Sequence, residues 1–254
     1  LRYAAGEKAE RALEYLRRDR AYEPALHVER RSLQEELDDY LADEESRMLF
    51  VSGPAGSGKS SSLARWADRL RERDVPVLFL RGIELPDGEV TTVPRLEDWL
   101  CGELGWDGDF ADVLERAGDV GAGRLVVIVD GINEFADLDR DLEGLWRALN
   151  GVAERHAGRT ALKLVASARP DGEEPEAYLP GGEPPTYADR DLYWRTNGRS
   201  YLEVTGLAEP EIRARRPGSV TPWGVAALLS RIAFSIGLAL RRRRSASSQP
   251  KPST

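Results

Sequence analysis

The sequence has little cysteine and histidine, and the scarcity of these residues excludes several classes of protein. It contains one cysteine and two histidines among 254 residues. A single thiol cannot form an intrachain disulfide, so a secreted disulfide-stabilised scaffold is excluded and a reducing, cytoplasmic compartment is predicted. Cys101, His27 and His156 are also too few to form a conventional zinc site.

Long apolar runs are scarce, and the overall composition is that of a globular protein. Hydrophobic residues make up 41% of the chain and charged residues 31%. A collagen, a wholly disordered chain and a multi-span membrane protein are therefore excluded, and the length suits one large domain or one domain with tails. The chain begins at Leu1 instead of a methionine, so we expect a fragment or a processed product. It shows no signal-peptide pattern.

The net charge of −8 conceals two parts of opposite sign. Residues 207–254 contain nine basic and two acidic side chains, whereas residues 1–206 are strongly acidic. An acidic body is not expected to bind nucleic acid non-specifically. Only four of the 36 cationic residues are lysines, so each lysine marks a candidate position where arginine would not fit.

Apolar segments alternate with segments of helical periodicity along the first 210 residues. This alternation predicts an α/β fold, with a parallel five-stranded sheet sandwiched by helices. The predicted strands are residues 48–51, 75–80, 124–129, 161–166 and 201–204. The predicted helices are residues 6–20, 27–43, 61–73, 96–104, 110–117 and 138–156.

Residues 53–60 read Gly-Pro-Ala-Gly-Ser-Gly-Lys-Ser and match the P-loop pattern G-x-x-x-x-G-K-[ST] between a strand and a helix. Backbone N–H groups of such a loop cradle phosphate oxygens, the lysine neutralises phosphate charge and the serine hydroxyl ligates Mg²⁺. A compact ammonium fits this loop better than a planar guanidinium. The candidate nucleotide-binding residues are Gly53, Pro54, Ala55, Gly56, Ser57, Gly58, Lys59, Ser60 and Ser61.

Three charged residues follow the third and fourth predicted strands. Asp130 ends the most apolar strand, where a carboxylate can hold Mg²⁺ together with Ser60. Glu134 is a candidate to orient or deprotonate an attacking water, and Arg169 is a candidate to contact the γ-phosphate. The alternatives are a turn aspartate, a solvated acid and one of many surface arginines.

In this order, the motifs resemble the STAND class of signalling P-loop ATPases, in particular the NACHT family. Residues 53–60 resemble its Walker A loop, residues 126–134 its Walker B segment, and residues 162–170 its sensor strand. The segments 201–211 and 27–37 resemble the parts that follow this strand and precede the first one. The similarity covers about residues 27–212.

The chain also departs from that family. Asn133 stands where the first of two distal acids usually does, so slow hydrolysis is expected. Ser167 and Ala168 replace the usual Thr-Ser before Arg169. No clear helical-lid motif, winged-helix domain or repeat array follows, so the resemblance is to a truncated core ATPase.

The resemblance implies a switch that binds ATP or ADP with Mg²⁺ and serves signalling or defence. ADP would hold a closed state, and exchange for ATP would favour a homo-oligomer that acts on a further, unidentified protein partner. The absence of an Asn/Thr-Lys-x-Asp motif favours adenine over guanine, and no specific nucleic acid is expected. Two other functions stay open: a constitutive P-loop ATPase or kinase, and a scaffold that binds nucleotide without hydrolysing it.

The chain is predicted to have four segments. Residues 1–26 form an N-terminal helical extension, residues 27–212 the P-loop domain, residues 213–244 a C-terminal apolar and basic helix, and residues 245–254 a disordered tail.

Residues 223–240 are largely apolar and precede four arginines at 241–244. A helix packed on the core, a helix lying on an anionic membrane and a membrane span are the three alternatives for this segment. Arg231 in its middle weighs against a span, as does a topology that would place the four arginines opposite a cytoplasmic ATPase. The expected location is the cytoplasm, with membrane association only through this segment.

Overall fold

The computed structural model describes residues 1–19, 21–88, 90–119, 123–136, 140–159, 161–169 and 202–205. The predicted C-terminal helix (213–244) and tail (245–254) lie outside these residues. Within the described part of the chain, no helix combines the length and the hydropathy needed to cross a membrane.

Helices and strands alternate along the described chain. The helices are α1 (Arg2–Arg18), α2 (Arg31–Ala42), α3 (Lys59–Glu72), α4 (Val93–Glu103), α5 (Phe110–Gly118), α6 (Ile132–Ala136) and α7 (Leu142–Arg155). The strands are β1 (Met48–Ser52), β2 (Val77–Arg81), β3 (Leu125–Asp130), β4 (Leu162–Ala168) and β5 (Leu202–Glu203). Short 3-10 turns cover Pro24–Leu26 and Gly82–Glu84.

The strands form one parallel sheet in the order β2-β3-β4-β1-β5. The parallel α/β fold agrees with the prediction. Four strands have five to seven residues, whereas the fifth is limited to two residues that pair with Val51 and Ser52 of β1. Because all strands are parallel, their carboxyl ends lie at the same edge of the sheet. The P-loop follows β1 at this edge.

The sheet separates two hydrophobic clusters, and alternate strand residues enter each of them. Helices α2 and α3 pack on one face, and helices α4, α5 and α7 pack on the other. Strands covered on both faces are apolar throughout, which explains why β1 to β4 are visible as short apolar runs in the sequence. Cys101 of α4 is buried in the cluster formed with α5 and α7, and burial raises the pKa of its thiol to about 11.

The N-terminal helix α1 packs against β2, an outer strand of the sheet. Its buried side chains Ala9, Leu13 and Leu16 belong to the cluster that also contains the α3 side chains. An ion pair of 2.7 Å between Lys8 and Glu103 joins it to α4. The predicted extension 1–26 therefore contributes to the same core as the sheet, while its boundary as a domain stays a prediction.

Two helices begin later than the sequence pattern predicts. The helix expected from residue 27 begins at Arg31, because His27 and Arg30 have extended backbones. The helix expected from residue 138 begins at Leu142, because the Asp141 carboxylate accepts the Gly144 N–H at 2.8 Å and caps the helix there.

Candidate nucleotide-binding site

The P-loop connects β1 to α3 and contains two glycines in the left-handed region. Gly56 has φ of 76° and Gly58 has φ of 97°, values that other residues adopt only with strain. Gly58 precedes α3, and no side chain caps this helix. The first N–H groups of a helix have no partner within it, so the N-terminus of α3 can donate to an anion.

Gly53 is required by packing rather than by its backbone angles. A Cβ atom at this position would lie 2.2 Å from the carbonyl oxygen of Val204, just beyond β5. The Val204 N–H in turn donates to the Ser52 carbonyl at 2.7 Å. The start of the P-loop therefore packs directly against the backbone of Val204, the residue that follows β5.

The Lys59 side chain lies along the loop. It is 9% exposed, and its ammonium donates to the carbonyl oxygens of Gly53 at 2.6 Å and Pro54 at 3.2 Å. The Ser57 hydroxyl is buried and has no hydrogen-bond partner among the residues that the structure describes. Together with the α3 N-terminus, these groups fit an oxygen-rich anion such as a phosphate.

Asp130 is the buried carboxylate of the site. It ends β3, is 6% exposed and accepts a hydrogen bond of 2.5 Å from the Ser167 hydroxyl. Burial raises the pKa of Asp130, while hydrogen bonds from Ser167 and Ser60 and the nearby positive charges of Lys59 and Arg81 act in the opposite direction. The structure thus brings Ser60 and Asp130 together, and a carboxylate paired with a hydroxyl fits Mg²⁺.

Ser167 was not among the site residues that the sequence predicts. Its hydroxyl oxygen accepts the Gly131 N–H at 2.9 Å while its proton goes to Asp130, so one side chain fixes both residues at the end of β3. The strand register explains this contact, because Val129 pairs with Ala166 and the next residues are therefore neighbours. The sequence signal that could have identified Ser167 is its place as a small polar residue at the end of an apolar strand.

Arg81 was also not among the site residues that the sequence predicts. Its side chain extends the row formed by Asp130 and Ser167. Arg81 ends β2 and pairs in register with Asp130 of β3. Arg81, Asp130 and Ser167 therefore lie side by side on three adjacent strands, and strand alternation places them on the face that carries α3.

Glu134 lies in the short helix α6 that follows this row. Gly131 has φ of 72°, and a Cβ on it would lie 3.2 Å from the Glu134 carboxyl carbon. The Glu134 side chain therefore folds back over Gly131, towards the end of β3. Its predicted role in acting on water stays a prediction.

Asn133 and Arg169 are joined to each other. The buried Asn133 side chain accepts the backbone N–H of Arg169 at 3.0 Å, so it ties α6 to the end of β4. The half-buried Arg169 is thereby held at the same edge of the sheet as the P-loop. The hydroxyl of Ser61, the last of the predicted nucleotide-binding residues, lies 2.9 Å from Nδ1 of His27, and its role in binding stays a prediction.

No protein-family model and no curated protein matches the sequence. Solved structures that are similar to part of this chain include Cdc6p of Pyrobaculum aerophilum, with 14% identity, a TM-score of 0.43 and coverage of 76% of this chain and 51% of that one. The Orc1 protein of Aeropyrum pernix in complex with DNA has 18% identity, a TM-score of 0.44 and coverage of 81% and 53%. A Walker-type ATPase of Pyrococcus abyssi has 16% identity, a TM-score of 0.42 and coverage of 73% and 55%.

The present chain spans about half the length of these proteins. All three TM-scores are below 0.5 and the identities are below 20%, so the function proposed below rests on the residues of this chain alone. The resemblance to the NACHT family remains a prediction.

Proposed function

We propose that the chain binds ATP and ADP with Mg²⁺ at its P-loop and hydrolyses ATP slowly, as a nucleotide-dependent switch. The observation that carries this proposal is the convergence of Lys59, Ser60 and Asp130 at the carboxyl edge of a parallel sheet. Ligands of open parallel sheets bind at that edge.

Each group in the site has a defined task in this proposal. Lys59 and the N–H groups at the start of α3 bind the phosphates, and Ser60 and Asp130 hold the metal. Bound Mg²⁺ would neutralise charge on the β- and γ-phosphates. Glu134 orients the attacking water and accepts its proton, and Arg169 stabilises charge on the transferred group.

The first experiment identifies the nucleotide that the purified chain retains. The protein is denatured and the released nucleotide is separated by chromatography, with Lys59→Ala as the matched variant. We expect ADP in the wild type and none in the variant. An empty wild-type protein that also fails to bind added ATP would contradict the proposal.

Turnover distinguishes the switch from the two alternative functions. We expect slow ATP hydrolysis that Glu134→Gln reduces by at least tenfold while nucleotide binding is retained, because a positioned base contributes about 10²–10⁴-fold. Turnover at the level of the protein-free control in both proteins, with nucleotide still bound, would favour a scaffold that does not hydrolyse ATP. Rapid multiple turnover by the wild-type protein in the absence of any partner protein would favour a constitutive ATPase.

The biological setting is proposed from the NACHT resemblance. A STAND-type switch would form homo-oligomers with ATP and dissociate with ADP, in the cytoplasm or at a membrane reached by residues 213–244. Light scattering after gel filtration, in the presence of each nucleotide, measures this directly. A molar mass that is the same with ATP and ADP would separate nucleotide binding from assembly.

A further inference from the structure

Arg81 lies beside Asp130, but the N-terminal helix holds its guanidinium. The central guanidinium carbon is 3.9 Å from the centroid of the Tyr15 ring. The terminal nitrogens lie 3.3 Å from Glu84 Oε1 and 3.9 Å from Asp19 Oδ2. The Arg81 side chain is 13% exposed, whereas the carboxylates of Asp19 and Glu84 are 48% and 50% exposed.

These contacts bear on the metal site because Arg81 and Asp130 are register partners on adjacent strands. Neighbouring strands are about 4.8 Å apart, and an arginine side chain is longer than this distance. Rotation of the Arg81 side chain alone can therefore bring the guanidinium onto the Asp130 carboxylate. Arginine and carboxylate form strong paired hydrogen bonds, so Arg81 is a competitor for the proposed Mg²⁺ ligand.

We propose that Tyr15 keeps Arg81 away from Asp130 so that Mg²⁺ can bind, and that displacement of α1 releases Arg81 to exclude the metal. Tyr15 is then a positioning residue for the metal site, and α1 is a regulatory element of it. This inference rests on the proposed Mg²⁺–nucleotide site. The direction of the effect follows from Coulomb repulsion between the guanidinium and a divalent cation that share one carboxylate.

The test separates metal-dependent from metal-independent binding. Binding of a fluorescent ATP analogue is titrated with Mg²⁺, and its affinity is measured separately in EDTA. In Tyr15→Ala we expect the half-saturating Mg²⁺ concentration to rise about five- to tenfold, the effect of a nearby unit charge on a divalent ion. Affinity in EDTA should be unchanged, which a general loss of structure would not allow.

The matched control is Tyr3→Ala, which removes a tyrosine from the same helix at a position 84% exposed. Its Mg²⁺ requirement should equal that of the wild type. A shift as large as that of Tyr15→Ala would mean that any change in α1 affects the site, and would overturn the assignment to Arg81.

A double variant tests whether Tyr15 acts through Arg81. Arg81→Gln removes the competing cation, so its Mg²⁺ requirement should be equal to or lower than that of the wild type. Adding Tyr15→Ala to this background should then have no effect. A rise that persists without the arginine would contradict the proposal.

A second set of variants avoids the risk that Tyr15→Ala unfolds α1. Asp19→Asn and Glu84→Gln release the guanidinium through half-exposed side chains, and each should raise the Mg²⁺ requirement more in the wild type than in the Arg81→Gln background. Equal effects in both backgrounds would overturn the inference. Failure of the wild type to bind nucleotide would instead contradict the proposed function itself.

Discussion

Ser167 is the side chain that orients the Asp130 carboxylate. Its removal takes one buried hydrogen bond from the Asp130 carboxylate, which keeps its hydrogen bond with Ser60, and leaves the Gly131 N–H without the Ser167 acceptor. We expect Ser167→Ala to lower the free energy of unfolding by about 1–3 kcal/mol, the cost of buried polar groups without partners. Mg²⁺-dependent nucleotide binding should weaken as well, and chemical denaturation and a Mg²⁺ titration measure the two effects.

Ser52→Ala is the matched control for this prediction. Ser52 is fully buried at the end of β1, and its hydroxyl has no hydrogen-bond partner within the described ranges. Its loss should change stability by less than about 1 kcal/mol, because no hydrogen bond is broken. Equal losses in both variants would assign Ser167 a packing role only.

Lys163 is a buried cation at the opposite edge of the sheet. Its ammonium donates to the carbonyl oxygens of Asp43 at 2.7 Å and Ser46 at 2.5 Å, and lies 4.5 Å from the centroid of the Tyr40 ring. Burial, together with the positive charges of Arg124 and Arg47, lowers the pKa of Lys163 to about 7, while Asp43 acts in the opposite direction.

This pKa predicts a pH dependence of stability. Between pH 7 and the ordinary lysine pKa of 10.5, the unfolded chain binds one more proton at Lys163 than the folded chain. The free energy of unfolding therefore rises with pH, by at most about 1.4 kcal/mol per pH unit from this group, and is independent of it below both pKa values. Lys163→Met should remove this slope in denaturation curves from pH 7 to 9, and an unchanged slope would contradict the assignment.

At the scale of elements, the contact between the P-loop and the end of β5 constrains Gly53. We expect Gly53→Ala to abolish nucleotide binding although Lys59 is intact, because the new Cβ displaces the loop from the Val204 carbonyl. Overpacking of this kind lowers the free energy of unfolding by about 1–3 kcal/mol. Calorimetric titration with ATP and thermal melting are the corresponding measurements.

Gly6→Ala is the control for a glycine that nothing constrains. Gly6 lies inside α1, and a Cβ there would meet no atom within 4 Å. This substitution should stabilise the protein by about 0.5–1 kcal/mol, because alanine loses less backbone entropy in a helix. ATP binding that survives Gly53→Ala would show that the loop tolerates the displacement.

The elements whose signal is local could be predicted from the sequence. The P-loop is a contiguous motif, and β1 to β4 lie within two residues of their predicted bounds because a strand buried on both faces is apolar throughout. The capped start of α7 shows the limit of periodicity, since the helical pattern continues upstream of Asp141 and only the side-chain cap marks where the helix begins.

The parts of the site that depend on strand pairing could not be predicted in this way. Ser167 contacts Asp130 across 37 positions of the sequence, and Tyr15 of α1 contacts Arg81 at the end of β2, so neither contact leaves a pattern in the local sequence. Asn133 was interpreted as a missing acid, whereas in the structure it is a buried acceptor for the Arg169 N–H. Its effect on hydrolysis stays a prediction.

At the scale of the whole molecule, α1 shares a core with the sheet. Leu13 is fully buried in the cluster that contains Trp66 and Phe79. We expect Leu13→Ala to lower the free energy of unfolding of the whole protein by about 2–5 kcal/mol, within a single transition. Circular dichroism and tryptophan fluorescence should report the same midpoint.

The exposed Tyr3→Ala serves as the reference, with an expected change below about 0.5 kcal/mol. A helical extension that folds independently would give a different result. It would melt in a separate, earlier transition and leave the midpoint of the tryptophan signal unchanged.

The chemistry of Cys101 makes the proposed displacement of α1 accessible to spectroscopy. This is the single thiol of the sequence, and with a pKa of about 11 it is protonated near pH 7, whereas maleimide dyes react with the thiolate. A cysteine introduced at the exposed position of Tyr3 would therefore accept a dye while the native thiol stays unmodified. Single-molecule fluorescence could then follow α1 as nucleotide and metal are exchanged, in a protein that keeps its native cysteine.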